Sequence, residues 1–93
     1  MEITVQYTGQ LAGIAGVSEE KAEVSDDALV PDLVRVLCER HGSAFGELVT
    51  QSDGNVRPST LVILDGEQAL GDTSRLPLGG VNTVLLMTPI AGG

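Results

Sequence analysis

The chain closes on Pro89-Ile90-Ala91-Gly92-Gly93, directly after the apolar run Val84-Leu85-Leu86-Met87. Glycines lack a Cβ, so the last two residues can pass a channel that excludes any larger side chain. They present one functional group, the α-carboxylate of Gly93. At roughly 3.3 Å per extended residue, the five residues from Pro89 reach about 16 Å, enough to set that carboxylate inside another protein's active site. A carboxylate is a poor electrophile; joined to a good leaving group it becomes an acyl donor. Gly93 is thus the candidate reacting residue, and Pro89, Ile90, Ala91 and Gly92 are the candidates for threading a partner's channel.

Other chemistry-bearing residues are sparse. Cys38 and His41 stand three apart on an expected helix, the spacing of a nucleophile and its base. No third group near them in sequence orients the pair, and a core-edge Cys beside a helix-end His accounts for both. One Cys and one His do not make a metal site. Asp26, Asp27 and Asp32 read as solvated charges at a helix start. Gly13-Ile14-Ala15-Gly16 lacks the lysine of a phosphate loop. Lys21 is the sole lysine. If copies are joined to one another through Gly93, the acceptor is Lys21 or the N-terminal amine. With no catalytic set, the chain is expected not to be an enzyme.

Composition narrows the rest. A length of 93 residues suits one domain, and 42% hydrophobic residues supply a core built from Val, Leu, Ile and Ala, because aromatics make up only 2%. The formal net charge of −8 argues against a nucleic-acid backbone and against an anionic membrane. It favours a partner with a basic face, although acidity serves solubility equally well. No apolar stretch reaches spanning length, no basic segment precedes an apolar one at the start, and a lone Cys forms no internal disulfide. The expectation is a cytoplasmic protein.

The elements that must position the terminus follow from periodicity. Residues 2–8 alternate, with Ile3, Val5 and Tyr7 on one face, as a half-buried strand does. Residues 9–18 read as a connection whose Leu11, Ile14 and Val17 fold back as a short apolar cover. Residues 20–25 form a second strand, with Ala22 and Val24 inward. Val30, Leu33, Val34, Leu37 and His41 share one helical face, so a helix runs over 30–41. Pro31 fits its first turn and Gly42 its stop. Residues 44–49 add one more helical turn. A turn cluster at 51–55 leads to an apolar run over 60–64, and Asp65-Gly66 reads as a tight turn. Residues 70–78 are a loop before the last strand, about 82–88. The order predicts an α+β roll, a mixed four- to five-stranded sheet with one main helix packed on one face. The runs at 61–64 and 84–87 are apolar on both faces, which leaves an apolar patch away from the helix, the mark of a binding surface. Leu85 and Met87 are assigned outward, with Val62 or Leu64 alongside.

Three segments carry a resemblance. Leu11-Ala12-Gly13-Ile14-Ala15-Gly16-Val17, Val56-Arg57-Pro58 leading into Leu61-Val62-Ile63-Leu64-Asp65-Gly66, and the closing Pro89-Ile90-Ala91-Gly92-Gly93 resemble the MoaD/ThiS group of ubiquitin-like β-grasp sulfur carriers. The middle segment is also similar to the ubiquitin-related modifier. The resemblance spans nearly the whole chain and implies a β-grasp domain over 1–88 with an extended, flexible tail over 89–93. It implies that a ubiquitin-activating-like enzyme adenylates Gly93 with ATP and that a persulfide donor converts it to a thiocarboxylate. The sulfur then enters an acceptor at a synthase subunit, with molybdopterin favoured over tRNA thiolation, thiazole or cysteine synthesis. The chain itself binds no cofactor and is at most the small subunit of such a synthase. Gly79-Gly80-Val81-Asn82 and Thr88-Pro89 depart from the acidic turn and the paired prolines of many MoaD proteins, which weakens the link to molybdopterin in particular. Two other functions remain open: a protein modifier conjugated through an isopeptide bond, and a non-covalent ubiquitin-like interaction module.

Overall fold

The computed structural model describes residues 1–88. Five strands form one mixed sheet in the order β2-β1-β5-β3-β4. They are β1 (Glu2–Tyr7), β2 (Glu19–Glu23), β3 (Leu61–Leu64), β4 (Glu67–Gln68) and β5 (Thr83–Met87), and the helices are α1 (Gly9–Ala15), α2 (Val30–His41) and α3 (Ser43–Val49). β1 pairs antiparallel with β2 and parallel with β5, so the first and last strands lie side by side at the sheet's centre. The expected α+β architecture holds, with three helices where one main helix was foreseen.

Burial explains why these segments fold as they do. Ile3, Val5 and Tyr7 of β1, Ala22 of β2, Val62 of β3 and Val84 and Leu86 of β5 point to one face. Val30, Leu33, Val34 and Leu37 of α2 and Phe45 and Val49 of α3 join them in one core. α2 occupies the expected span. Pro31 sits in its first turn, and the Asp32 carboxylate accepts the Leu29 N–H at 2.8 Å, closing an otherwise orphaned donor. Gly42, at φ 91°, ends α2 and opens α3 in a conformation that a side chain would strain.

The segment 9–18 differs from expectation. Its first seven residues form α1, with Leu11 fully buried and Ile14 packed at the core's edge, while Val17 remains 42% exposed. The second strand starts one residue early and ends at Glu23, so Ser25 falls outside it, and Val24 is only partly buried.

Asp65 and Gly66 make the two-residue hairpin between β3 and β4, both at positive φ (49° and 88°), as a tight primed turn requires. The Asp65 carboxylate also accepts the N–H groups of Asn82 (3.1 Å) and Thr83 (2.8 Å), which ties the turn to the start of β5. Asp65→Ala removes both acceptors and places a poor residue at positive φ. It is expected to cost about 1–2 kcal/mol, read as a lower urea midpoint at unchanged slope. An unchanged midpoint would show that the carboxylate does not hold β5.

Candidate functional site

The sheet face away from the helices is set by register. Leu61 stands opposite Met87, and Ile63 opposite Leu85. Leu85 in turn lies opposite Gln6, and Gln6 opposite Glu19. These four apolar side chains are half-buried or exposed, while their strand neighbours Val62, Val84 and Leu86 are buried in the core. The outward assignment of Leu85 and Met87 holds. That of Val62 and Leu64 does not: Val62 pairs with Leu86 and Leu64 with Val84, so both turn to the helix side, and Leu61 and Ile63 take the outer places. The physical reason is the strand's period of two, under which a one-residue error in phase exchanges the faces.

The apolar stripe is bordered by acid. Glu2, Glu19 and Glu23 lie on the β1–β2 flank, with Lys21 as the one cation on the β2 edge. Gln6 donates to Glu19 at 3.0 Å, and Lys21 approaches Glu2 at 3.7 Å. Such a face fits a partner that offers an apolar centre and a basic rim.

β5 delivers the chain from the middle of this sheet toward its closing residues. Pro89, Ile90, Ala91, Gly92 and Gly93 lie outside the described residues. At the start of β3 is a concavity of about 500 Å³ that sequence reasoning missed, lined by Arg57, Thr60, Leu61, Gln68 and Leu70 among others. Leu61 belongs both to this hollow and to the apolar stripe. Turn and loop residues build it, and no periodicity announces such a shape.

A second cluster was also illegible in the sequence. Glu20 of β2 accepts the Tyr7 hydroxyl at 2.5 Å and Arg40 Nη1 at 2.8 Å, and it meets His41 Nε2. Arg40 also donates to the Lys21 carbonyl at 2.9 Å. The His41 and Phe45 rings flank Tyr7, at centroid separations of 6.0 and 5.6 Å. Burial alone would raise the Glu20 pKa, but hydrogen bonds from Tyr7, Arg40 and His41 outweigh it and hold the carboxyl below its usual range. Burial, then the bond to Glu20, pushes the Tyr7 phenol far up, so it remains a donor. The cluster joins β1, β2 and α2, and its members satisfy one another.

His41 is therefore committed to Glu20, and the suggested Cys38–His41 pair has no support. Cys38 instead faces α3 at Gly46 and lines a shallow 320 Å³ hollow with Asp32, Arg35 and Thr50. Burial and the neighbouring Glu39 charge push its thiol up, away from the reactive thiolate. Asp26 faces the Met1 amine at 3.4 Å, Asp27 accepts from Ser25 at 2.8 Å, and Asp32 pairs with Arg35 at 2.9 Å; none pairs with another carboxylate. Among the described residues no group of His, Cys, Asp and Glu is placed to hold a metal, and no helix is long and apolar enough to cross a membrane.

No family model matches the chain. It is 28% identical over 94 residues to small archaeal modifier protein 3 of Haloferax volcanii, covering all of both chains. The crystal structure of small archaeal modifier protein 1 of H. volcanii superposes with a TM-score of 0.80 at 24% identity, over 96% of this chain and 98% of that one. A Pyrococcus furiosus protein assigned as subunit 1 of a molybdopterin converting factor superposes at 0.71 and 21% identity, over 97% and 99%. At these identities the two structures establish the ubiquitin-like β-grasp fold.

Proposed function

We propose that this chain, a homologue of the small archaeal modifier proteins with the MoaD/ThiS-type ubiquitin-like fold, is a sulfur carrier that works through the carboxylate of Gly93. The observation that carries the reading is continuity. The central strand β5 ends at Met87, and the sequence runs on from it to Gly92-Gly93, next to an apolar stripe bordered by acid. A partner that docks on that stripe holds the chain beside the end of β5, from which the sequence continues to Gly93.

In this reading a ubiquitin-activating-like enzyme supplies Mg-ATP and the catalytic groups. A Gly93 carboxylate oxygen attacks the α-phosphorus, pyrophosphate leaves, and the acyl-adenylate forms. A persulfide sulfur then displaces AMP, and reduction of the S–S bond by a thiol leaves the thiocarboxylate. Its sulfur is a good nucleophile, ready for an acceptor at a synthase subunit. Molybdopterin synthesis is the favoured pathway, supported by the resemblance of the three segments and by the fold shared with the P. furiosus protein. The chain's own residues provide reach, shape and docking. The test is intact mass after incubation with the activating enzyme, ATP and a persulfide donor. The expected change is one sulfur gained for one oxygen, and an unchanged mass with the enzyme shown active on its own substrate overturns the reading.

The modifier reading has one specific support, the printed name of the 28% identical relative. It requires the same activated Gly93 with a lysine amine in place of sulfur, and higher-mass adducts lost on deletion of Gly93 would report it. Either reading needs the stripe. Leu61→Ala with Leu85→Ala is expected to raise the KM for activation about tenfold with kcat unchanged, because docking contacts are made equally in ground and transition states. A fall in kcat alone would move docking elsewhere on the surface.

A further inference from the structure

The hollow at the start of β3 has a mouth and a floor of different kinds. Three large apolar side chains are exposed among the described residues, and two of them, Leu61 and Leu70, line this hollow. Leu70 is 82% exposed. Thr60 also lines it but is only 6% exposed. The Thr60 N–H donates to the Arg57 carbonyl at 2.9 Å. Its hydroxyl is shut off from solvent and has no hydrogen-bond partner among the described residues. A hydroxyl kept from water without a partner opposes folding, so it points to a bond completed from outside the chain.

The charged groups of the wall are already engaged. The Asp72 carboxylate accepts the Ser74 N–H at 2.9 Å, and Arg57 Nε donates to the Glu47 carbonyl at 2.8 Å. Arg57 repels a cationic guest and Asp72 an anionic one, which leaves a neutral group. The guest must be apolar along its length, to meet Leu61 and Leu70, and polar at its far tip, to reach Thr60. A phenol has that form, and a volume of about 500 Å³ holds a ring.

We infer that the hollow receives a tyrosine side chain of the protein that docks on the apolar stripe, with its ring between Leu61 and Leu70 and its hydroxyl bonded to Thr60 Oγ1. The inference rests on the reading of the stripe as the docking face. Leu61 belongs to both features, so one partner surface covers the two. An aromatic anchor in a pocket beside an apolar contact is how a few residues come to hold an interface.

Titration of the isotope-labelled full-length chain with N-acetyl-tyrosinamide and with N-acetyl-phenylalaninamide tests the inference, because the two probes differ by one hydroxyl. Saturable shifts are expected at the amides of Thr60, Leu61 and Leu70, with the tyrosine probe bound about fivefold more tightly. Thr60→Val keeps the shape and loses the hydroxyl. It is expected to erase that preference while the melting temperature holds or rises, and Thr60→Ser should restore it. No saturable shift with the tyrosine probe overturns the inference. So does equal affinity of the wild type for the two probes, or a preference that survives in Thr60→Val. Leu70→Ala is expected to raise the KM for activation about tenfold with kcat and melting temperature unchanged, and an unchanged KM takes the hollow out of the docking face. The titration needs no activating enzyme, so its failure leaves the sulfur-carrier reading standing. A chain that takes the probe but is not activated overturns that reading and leaves the hollow a phenol site.

Discussion

Gly93→Ala is expected to slow formation of the acyl-adenylate by at least about a hundredfold, the usual consequence of moving a reacting atom by roughly 1 Å. A channel that admits two residues without Cβ atoms must yield when a methyl group enters, and the carboxylate is then held short of the α-phosphorus. Pyrophosphate release in the presence of the activating enzyme measures the effect directly. Thermal unfolding should not change, because the core among the described residues is closed by strands and helices that end at Met87. Substitutions at Ala91 should be milder, since that residue lies two positions from the reacting carbon. A Gly93→Ala protein activated at the normal rate would remove the terminus from the mechanism and leave only non-covalent docking.

Glu20→Ala is expected to have the largest effect on stability of any substitution outside the apolar core. It strips a shared acceptor from Tyr7, Arg40 and His41 at once, while Glu20 and His41 side chains are only 15% and 10% exposed. Leaving shielded polar groups without a partner should cost about 2–4 kcal/mol, or roughly 10–20 °C in melting temperature for a domain of this size. Glu20→Gln retains an acceptor and should lose less.

The sign of the pH dependence follows from the direction of the shift. The folded pKa lies below the ordinary glutamate value of 4.5, so the stabilisation is present above that value. It drains away as pH falls below about 4.5 and through the lowered folded value. Urea midpoints taken down the acid limb should therefore fall more steeply for the wild type than for Glu20→Ala. Parallel acid limbs would show that the carboxylate titrates alike in the folded and unfolded chains.

Legibility from sequence tracked the strength of the local signal. α2 was readable to the residue because its apolar period, Pro31 and Gly42 agree on the same bounds. α1 was not, because seven residues with glycines at both 9 and 13 have little intrinsic tendency to coil and are held by burial of Leu11. β3 was legible as a strand but not in phase: Leu61-Val62-Ile63-Leu64 offers apolar side chains to both faces. The pairing with β5, set beyond the Asp65-Gly66 turn, decides which pair turns inward. The Glu20 cluster joins residues 13 and 21 apart along the chain, a contact that no window of sequence contains. The hollow beside Thr60 is a product of loop geometry and left no trace in composition.

The adjacency of the first and last strands has a mechanical consequence. β1 and β5 run parallel and are joined from Thr4 with Thr83 to Tyr7 with Leu86, while β3 grips the other flank of β5 over four residue pairs. Tension applied between the chain's two ends therefore slides β5 lengthwise past both neighbours, and their bonds resist together instead of peeling apart one by one. A force that draws the first and last strands apart along their length meets this domain in its stiffest direction.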